Sequence, residues 1–155
     1  MYSGMTPKAF DWQKKIRKFV KDELIPWEVH AEMNQGELPE EIEKKHRKIA
    51  LTLGLSGMGI PKESGGLGLS MFEQIIIWEQ LGKVTNALCW CFPEAQDWMA
   101  NHFTDYQKDN YLKPLLEGSK RECYAISEKG AASDVEGSIQ STAEKKENQY
   151  IINGE

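Results

Sequence analysis

The sequence predicts a mainly α-helical fold, in which a domain of five to six helices is followed by the first strands of a β-domain. Apolar residues recur with a 3.6-residue period through most of residues 6–117, and the period then changes to about two. A chain of 155 residues is long enough to bury a sizeable core. We therefore expect a helical domain at residues 1–119 and an incomplete β-domain at residues 120–155.

The first helix is predicted to begin at Thr6, whose hydroxyl can cap the backbone, with Pro7 at the first helical position. Pro26 should bend or break this helix, and the sequence NQG at residues 34–36 should end the segment. One face carries the apolar residues that should point to the core: Trp12, Ile16, Phe19, Val20 and Leu24.

A second helix should open at Pro39, where Glu40 and Glu41 lie at the positive end of the helix dipole. Gly54 can end it in a left-handed conformation. Its predicted inner face consists of Ile42, Ile49, Ala50 and Leu53.

A glycine-rich connection, GMGIPKESGGLGLS, follows this helix. Its SGGLG part at residues 64–68 could suggest a phosphate-binding loop. It lacks the lysine of a P-loop and follows no predicted strand. We therefore expect a flexible connection between helices.

Ser70 and Glu73 have the spacing of a capping box and predict the start of a third helix. Apolar residues cover nearly every side of this helix, so it should be buried by neighbours all round. The aromatic run at residues 87–99 suggests a second central helix, kinked at Pro93.

Thr104 and Gln107 form another capping box, which predicts a fifth helix to about Leu116. After it, alternating polar and apolar residues predict strands at 122–127, 138–144 and 150–152. The charged sequence EKKENQ at 144–149 is typical of a solvated hairpin turn.

Composition excludes several classes of protein. The net charge of -5 and the pI near 5.3 argue against broad binding to nucleic acid or anionic lipid. Three cysteines are a small and odd number, which argues against a disulfide framework and favours a reducing compartment. No leader sequence or run of membrane-spanning length is visible, which predicts a soluble intracellular protein.

A metal site is disfavoured, because Cys89 and Cys91 would face different sides of a helix and only His102 lies near them. His46 falls on the inner stripe of its helix, where an imidazole satisfied by a neighbour is expected more than a general base. Glu94 and Asp97 interrupt the aromatic run. Either both carboxylates face solvent, or one of them is buried and has a raised pKa. The pattern favours exposure to solvent.

The sequence YAISEKGAASD at residues 124–134 is the strongest candidate for a ligand site. An extended backbone exposes N–H and C=O groups that can bind the polar edge of a flat heterocycle. Ser127 and Ser133 add hydroxyls among small residues. An ordinary inter-strand turn would contain the same small residues, so this pattern leaves both interpretations open.

Several motifs together resemble one family over essentially the whole chain, the acyl-CoA dehydrogenases. They occur in the family's order: LIPWEVHAE, LGLSGMGIPKESGGLGLS, WEQLGKV, DYQKDNYLKPLLEGSKRECYAISEKGAASDVEG and STAEKKENQYIING. The resemblance implies the family's N-terminal α-domain followed by the start of a middle β-domain of barrel type. A C-terminal four-helix bundle would complete such an enzyme.

The resemblance also implies which residues contact ligands. The flavin of FAD is expected to contact Tyr124, Ala125, Ile126, Ser127 and Ser133, and Ser133 is also expected to reach the pantetheine arm of the substrate. Relative to the family's usual Thr-Glu-Pro-x-Ala-Gly-Ser-Asp, the chain carries Ser127, Lys129 and Ala132 in place of threonine, proline and glycine. Helices of the N-terminal domain wall the acyl pocket in this family. Trp90, Phe92 and Trp98 are therefore candidates for shortening that pocket, Trp90 first, although core packing is the expected role of these side chains.

The implied reaction is α,β-dehydrogenation of an acyl-CoA thioester, with hydride transfer to FAD and an electron acceptor such as an electron-transfer flavoprotein. The catalytic base belongs to the C-terminal bundle, so no catalytic residue is assigned in this chain. The chain by itself is expected to be inactive, to hold FAD weakly and to expose an apolar face. The resemblance also implies a homo-oligomeric parent enzyme, located in the cytoplasm or, in a eukaryote, the mitochondrial matrix.

Two alternatives remain open at this point. A same-fold acyl-CoA oxidase or flavin monooxygenase would use the same flavin cradle. A non-catalytic helical interaction module would have lost cofactor binding altogether.

Overall fold

The computed structural model describes residues 4–131, 134 and 136–154. The chain divides into two compact units, Met1–Glu122 and Cys123–Glu155, and each is described by itself. The first unit carries all the helices of the described residues, and the second carries a β-hairpin. The mainly helical fold class predicted from the sequence is confirmed.

The first helical segment begins and bends where the sequence predicts. The hydroxyl of Thr6 accepts a hydrogen bond from the backbone N–H of Ala9 at 3.1 Å, and Pro7 occupies the first turn. Pro26 lies within a 3₁₀ turn that interrupts the regular helix. The segment comprises α1 (Pro7–Phe19), a π-helical turn (Val20–Leu24), the 3₁₀ turn (Ile25–Trp27) and α2 (Glu28–Met33).

The next two helices also begin and end at predicted residues. Gly54 follows α3 (Glu40–Thr52) with φ of 75°, the left-handed conformation expected of a glycine that ends a helix. The capping box of α4 (Met71–Leu81) is formed. The Ser70 hydroxyl accepts from the Glu73 N–H at 3.4 Å, and the Glu73 carboxylate accepts from the Ser70 N–H at 2.9 Å.

The aromatic run at residues 87–99 is not a helix, and that prediction is wrong. A 3₁₀ turn (Leu88–Trp90) is followed by a loop, and α5 (Asp97–His102) begins only near the end of the run. Ala87 has φ of 56°, outside the range that a right-handed helix requires, and Pro93 cannot donate the helical hydrogen bond.

The predicted fifth helix is present as one continuous helical stretch. Thr104 and Gln107 form the expected capping box. The stretch consists of α6 (Asp105–Gln107), a π-helical turn (Lys108–Leu112) and α7 (Lys113–Leu116).

The main core of the first unit lies where α1 packs against α4. Its fully buried members are Ile16, Leu24, Leu55, Ile77 and Leu81. A second cluster surrounds Ile60 and includes Met99, Leu112 and Leu115.

One face of α4 is exposed within the described part of the chain, although the sequence predicted burial all round. Met71 is 66% exposed, Ile75 55% and Phe72 41%. The opposite face, including Ile76 and Ile77, is buried against α1. Helical periodicity identifies apolar residues but does not identify the neighbour that covers each of them.

The glycine-rich connection is ordered rather than flexible. Its two halves run against each other through hydrogen bonds from Leu67 N to Gly57 O (2.9 Å), Gly68 N to Ile60 O (2.9 Å) and Leu69 N to Met58 O (2.8 Å). A Cβ added at Gly66 would lie 2.1 Å from the Ile60 carbonyl oxygen. Close backbone approach therefore explains this glycine, and the prediction of a flexible connection is wrong.

The second unit contains an antiparallel hairpin of β1 (Thr142–Lys146) and β2 (Gln149–Asn153). Both strands are exposed on both faces. Residues 122–127, predicted as a strand, form no strand, because a strand needs a ladder partner and none of the described residues provides one. The strand predicted at 138–144 begins only at Thr142.

Candidate functional site

The segment at residues 124–127, which has no regular secondary structure, is the first part of the candidate site. Tyr124, Ala125 and Ser127 are exposed, and Ile126 is half-buried. Within the described chain, these residues make no backbone hydrogen bond to one another or to a neighbour. Their N–H and C=O groups are therefore unpaired within the described residues.

A turn follows this segment and is stabilised by two carboxylates. The carboxylate of Glu128 accepts hydrogen bonds from the N–H groups of Gln140 (3.1 Å) and Ser141 (3.2 Å). Gly130 has φ of 88°, which favours glycine, and the Ala131 N–H donates to the Glu128 carbonyl at 3.1 Å. The turn is thus fixed to the chain that enters β1.

Asp134 closes the same loop. Its carboxylate accepts from the Ser138 hydroxyl at 2.6 Å and from the Gly137 N–H at 3.0 Å. These hydrogen bonds, with that of Ser138 the stronger, lower the pKa of Asp134 and keep it ionised. Ser133 and Ala132, both named in the sequence analysis, lie outside the described residues.

Trp90 lies in the first unit beside a cavity of about 300 Å³. It is 73% exposed, and Phe92 is 7% exposed and packs 6.2 Å from Trp78 between ring centroids. Core packing is therefore confirmed for Phe92 and is wrong for Trp90. Trp98 is also exposed and makes an edge contact with Phe103.

Glu94 is the residue at this site that the sequence analysis placed wrongly. It is half-buried at the wall of the cavity beside Trp90, and it also lines a second cavity of about 380 Å³ beside Met58 and Trp98. Burial, followed by the nearby carboxylates of Glu122 and Asp97, raises the pKa of Glu94. The signal in the sequence was a carboxylate placed directly after a proline within an aromatic run.

The loop that carries Glu94 is fixed by hydrogen bonds from the backbone N–H groups of Glu94 and of the next residue. The Glu94 N–H donates to the Glu122 carboxylate at 2.8 Å, and the Ala95 N–H donates to the Ser56 carbonyl at 2.8 Å. Asp97 is exposed, as predicted, and its carboxylate occupies the space where a Cβ on Gly59 would lie, 2.0 Å away. The position of Glu94 is thus fixed by backbone hydrogen bonds rather than by its own side chain.

His46 is buried, as the inner stripe of α3 predicts, with 1% of its surface exposed. The expectation that a neighbour satisfies its ring is wrong, because neither ring nitrogen has a hydrogen-bond partner among the described residues. Burial lowers the pKa of His46. The Glu23 carboxylate and the Glu23 backbone carbonyl, which is near the ring but outside hydrogen-bond geometry, partly oppose that shift.

The described residues contain no group of three or more His, Cys, Asp or Glu side chains placed to hold a metal ion. None of their helices is long and apolar enough to cross a membrane.

Comparison with known proteins identifies the family. Residues 6–119 match the family model described as "Acyl-CoA dehydrogenase, N-terminal domain". The chain belongs to the acyl-CoA dehydrogenase family. The match covers the segment from the Thr6 cap to just beyond α7, and it confirms the resemblance drawn from the sequence motifs.

Three curated relatives and one solved structure are similar to this chain. It is 32% identical over 157 residues to an acryloyl-CoA reductase (NADH) of Anaerotignum propionicum, covering 92% of this chain and 36% of that protein. It is 30% identical over 146 residues to a caffeyl-CoA reductase-Etf complex subunit of Acetobacterium woodii, covering 92% and 37%. With mitochondrial isovaleryl-CoA dehydrogenase of Bos taurus the identity is 26% over 156 residues, covering 98% and 36%.

The solved structure is that of an acyl-CoA dehydrogenase of Bacillus anthracis complexed with FAD. It superposes with a TM-score of 0.74 at 24% identity, covering 97% of this chain and 26% of that one. This likeness shows the fold. The chain spans little more than a third of the length of the curated relatives that it matches.

Proposed function

We propose that this chain is the N-terminal part of a flavin-dependent enzyme that transfers hydrogen at the α,β-carbons of an acyl-CoA thioester. The observation that carries the proposal is the open backbone of residues 124–127, ending at the exposed Ser127, in a chain of the acyl-CoA dehydrogenase family. The family match excludes neither direction of the reaction, and dehydrogenation is the direction that we propose first.

The described residues fit a flavin. A flat heterocycle presents alternating donors and acceptors along its edge, and the unpaired N–H and C=O groups of Tyr124, Ala125 and Ile126 can bind such an edge. The Ser127 hydroxyl adds a donor and acceptor at the end of the segment. Ser133 is assigned to the flavin and to the pantetheine arm by resemblance alone.

FAD, when bound, would accept a hydride equivalent from the β-carbon of the thioester. Residues 124–127 of this chain would hold and orient the ring system through backbone hydrogen bonds. The carboxylates of Glu128 and Asp134 would help to keep that backbone in place, because each accepts two hydrogen bonds from nearby donors. We assign no proton-transfer role to a residue of this chain.

Trp90 is proposed to contact the acyl group. Support comes from its exposed indole at a cavity of about 300 Å³ that is also lined by Trp78 and Phe92. Such a wall is aromatic and apolar apart from Glu94, Arg121 and Glu122, which suits an acyl group of limited length. Trp90→Ala should enlarge the cavity and increase relative activity with longer acyl-CoA substrates. An unchanged chain-length profile would contradict this role.

Reduction of an α,β-unsaturated acyl-CoA is the second candidate function. It is favoured by the names of two curated relatives at 30% and 32% identity, both reductases. The two directions can be separated with the intact protein. Acyl-CoA should reduce an artificial electron acceptor if dehydrogenation is the function, whereas an enoyl-CoA should oxidise a reduced dye if reduction is the function.

An electron-transfer flavoprotein is the proposed electron partner, supported by the Etf complex named for one relative. We also propose a homo-oligomer located in the cytoplasm, or in the mitochondrial matrix of a eukaryote. These assignments rest on family membership.

Cofactor binding is tested by Ser127→Ala in the intact protein, with Ser141→Ala as the control. Ser141 is an exposed serine of the same unit whose hydroxyl makes no hydrogen bond to a described residue. Loss of one hydrogen bond of about 1 kcal/mol should weaken FAD affinity roughly fivefold in S127A, measured by flavin fluorescence quenching. Equal affinities for both variants and the parent protein would refute the assignment.

A further inference from the structure

A small cavity behind α3 carries hydrogen-bond donors that have no acceptor. It has a volume of about 190 Å³. Its wall includes His46 and Arg47 of α3, Arg121, residues 86–88, Trp90 and Cys91. This cavity is separate from the one assigned to the acyl group except for Trp90 and Arg121, which line both.

His46 is the strongest sign of a ligand. An imidazole with 1% exposure and no hydrogen-bond partner at either nitrogen loses its hydrogen bonds to water without replacement. Buried polar groups in native proteins are almost always satisfied, so an orphan of this kind calls for a bound group.

Two guanidinium groups approach the same place. The Nε of Arg47 is also buried without a hydrogen-bond partner, and neither Arg47 nor Arg121 forms an ion pair with a described carboxylate. Both arginines act electrostatically on the thiol of Cys91, another residue of the cavity wall. The positive charge of the two side chains is therefore concentrated at one cavity.

The remaining polar groups of the wall do not neutralise that charge. Glu43 is the acidic residue that lines the cavity, so one carboxylate faces the charge of two guanidinium groups. Glu23, which lies near His46, is already paired with Lys45 at 2.5 Å. Asn86 donates its amide to Thr85 and to the Glu28 carbonyl. Burial raises the pKa of the Cys91 thiol to about 12, so it stays neutral.

We propose that this cavity binds a small oxyanion, a phosphate or a carboxylate group, between Arg47, Arg121 and the N–H of His46. Guanidinium groups bind both kinds of oxyanion through paired N–H donors, and a cavity of 190 Å³ accommodates either. The site goes beyond the proposed hydrogen-transfer function and does not depend on it.

The test follows the three histidines of this chain by NMR, using their ring carbon-proton resonances. His30 and His102 are exposed and serve as internal controls, and the His46→Gln variant assigns the remaining signal. Inorganic phosphate and, separately, acetate are added at constant ionic strength near neutral pH. The proposal expects a saturable shift of the His46 resonance with at least one of the two anions. Saturation by one only identifies phosphate or carboxylate as the preferred group.

Arg121→Gln should weaken this binding about tenfold, the effect of removing a charged hydrogen bond. Lys48→Gln removes one positive charge from the exposed side of the same helix and should leave the affinity unchanged. Arg121 and Lys48 are both exposed, so both variants should fold. Parallel, non-saturating shifts of all three histidines, or equal affinities in the two variants, would overturn the proposal.

Discussion

Replacing Gly66 by alanine tests whether the glycine-rich connection is a packed element of the fold. The added Cβ would lie 2.1 Å from the Ile60 carbonyl oxygen, 2.4 Å from the Ile60 Cβ and 2.7 Å from the Gly57 carbonyl oxygen. Two of these atoms belong to the backbone, so no change of rotamer can relieve the overlap. The two halves of the loop would have to separate, which would weaken the hydrogen bond from Leu67 N to Gly57 O.

These contacts determine how much free energy of unfolding Gly66→Ala should remove. Overpacking a tight site costs about 1–3 kcal/mol, and overlap with backbone places Gly66→Ala at the upper end. Alanine also lowers the conformational entropy of the unfolded chain, which offsets about 0.4–1 kcal/mol of this loss in stability. The net loss should be about 2 kcal/mol, equivalent to a fall in Tm of roughly 4–8 °C for a chain of this size.

Gly36→Ala provides the matched control. Gly36 has φ of 87°, and a Cβ there would meet nothing within 4 Å. Its only penalty is the left-handed backbone, about 1 kcal/mol, which the same entropy gain partly offsets. Urea unfolding followed by circular dichroism at the helical minimum gives both free energies. A loss for G66A no larger than that for G36A would refute the packed-loop description.

Three further predictions concern the helical unit and the cysteines. Ser70→Ala removes the capping box of α4 and should lower the free energy of unfolding by about 1 kcal/mol in the same urea assay, whereas no loss would mean that the cap is dispensable. Because the folded-state pKa of Glu94 is raised, the folded protein binds more protons than the unfolded chain, and stability should fall as pH rises through that window. Glu94→Gln should flatten this dependence, measured as urea midpoints from acidic to neutral pH, and an unaltered slope would count against the assignment. The exposed Cys123 should react with a thiol reagent first, whereas the half-buried Cys91, whose pKa burial raises to about 12, should react much more slowly. Equal rates, resolved with a Cys123→Ser control, would contradict this order.

Helix starts were predictable because their signals are local. Thr6, Ser70 and Thr104 cap helices through hydrogen bonds to residues three positions away, so the sequence window contains both partners. Gly54 is equally local, since the left-handed conformation that ends α3 is a property of one residue.

Three of the wrong predictions depend at least in part on partners that are distant in sequence. The aromatic run at residues 87–99 has enough apolar residues for a helix, but the Ala95 N–H bonds to the Ser56 carbonyl and holds the run as a loop. Residues 122–127 alternate like a strand, yet a strand exists only with a ladder partner. The exposed face of α4 shows the same limit, because its pattern specifies apolar residues and not what covers them.

The candidate site was also predicted only in part, because some of its features depend on residues distant in sequence. The segment at residues 124–127 was predicted as a ligand site from alternating residues and a nearby small-residue turn. In the structure it forms no strand, and its backbone makes no hydrogen bond to a described residue. Glu94 was placed in solvent, because its burial depends on Glu122, 28 residues away, which accepts its N–H.

Buried polar side chains give the clearest separation between structural and functional groups in this fold. Gln80 is fully buried, and its amide is satisfied: the oxygen accepts from Arg17 (3.2 Å) and Lys83 (2.8 Å), while the nitrogen donates to the adjacent Glu79 (2.9 Å). Such a residue stabilises the packing of α1 on α4 and leaves no group for a ligand. His46 is buried to almost the same degree with both nitrogens unpartnered. Gln80 and His46 are almost equally buried, but only the Gln80 side chain has hydrogen-bond partners among the described residues. This difference argues that Gln80 is structural, whereas His46 serves a group that binds beside it.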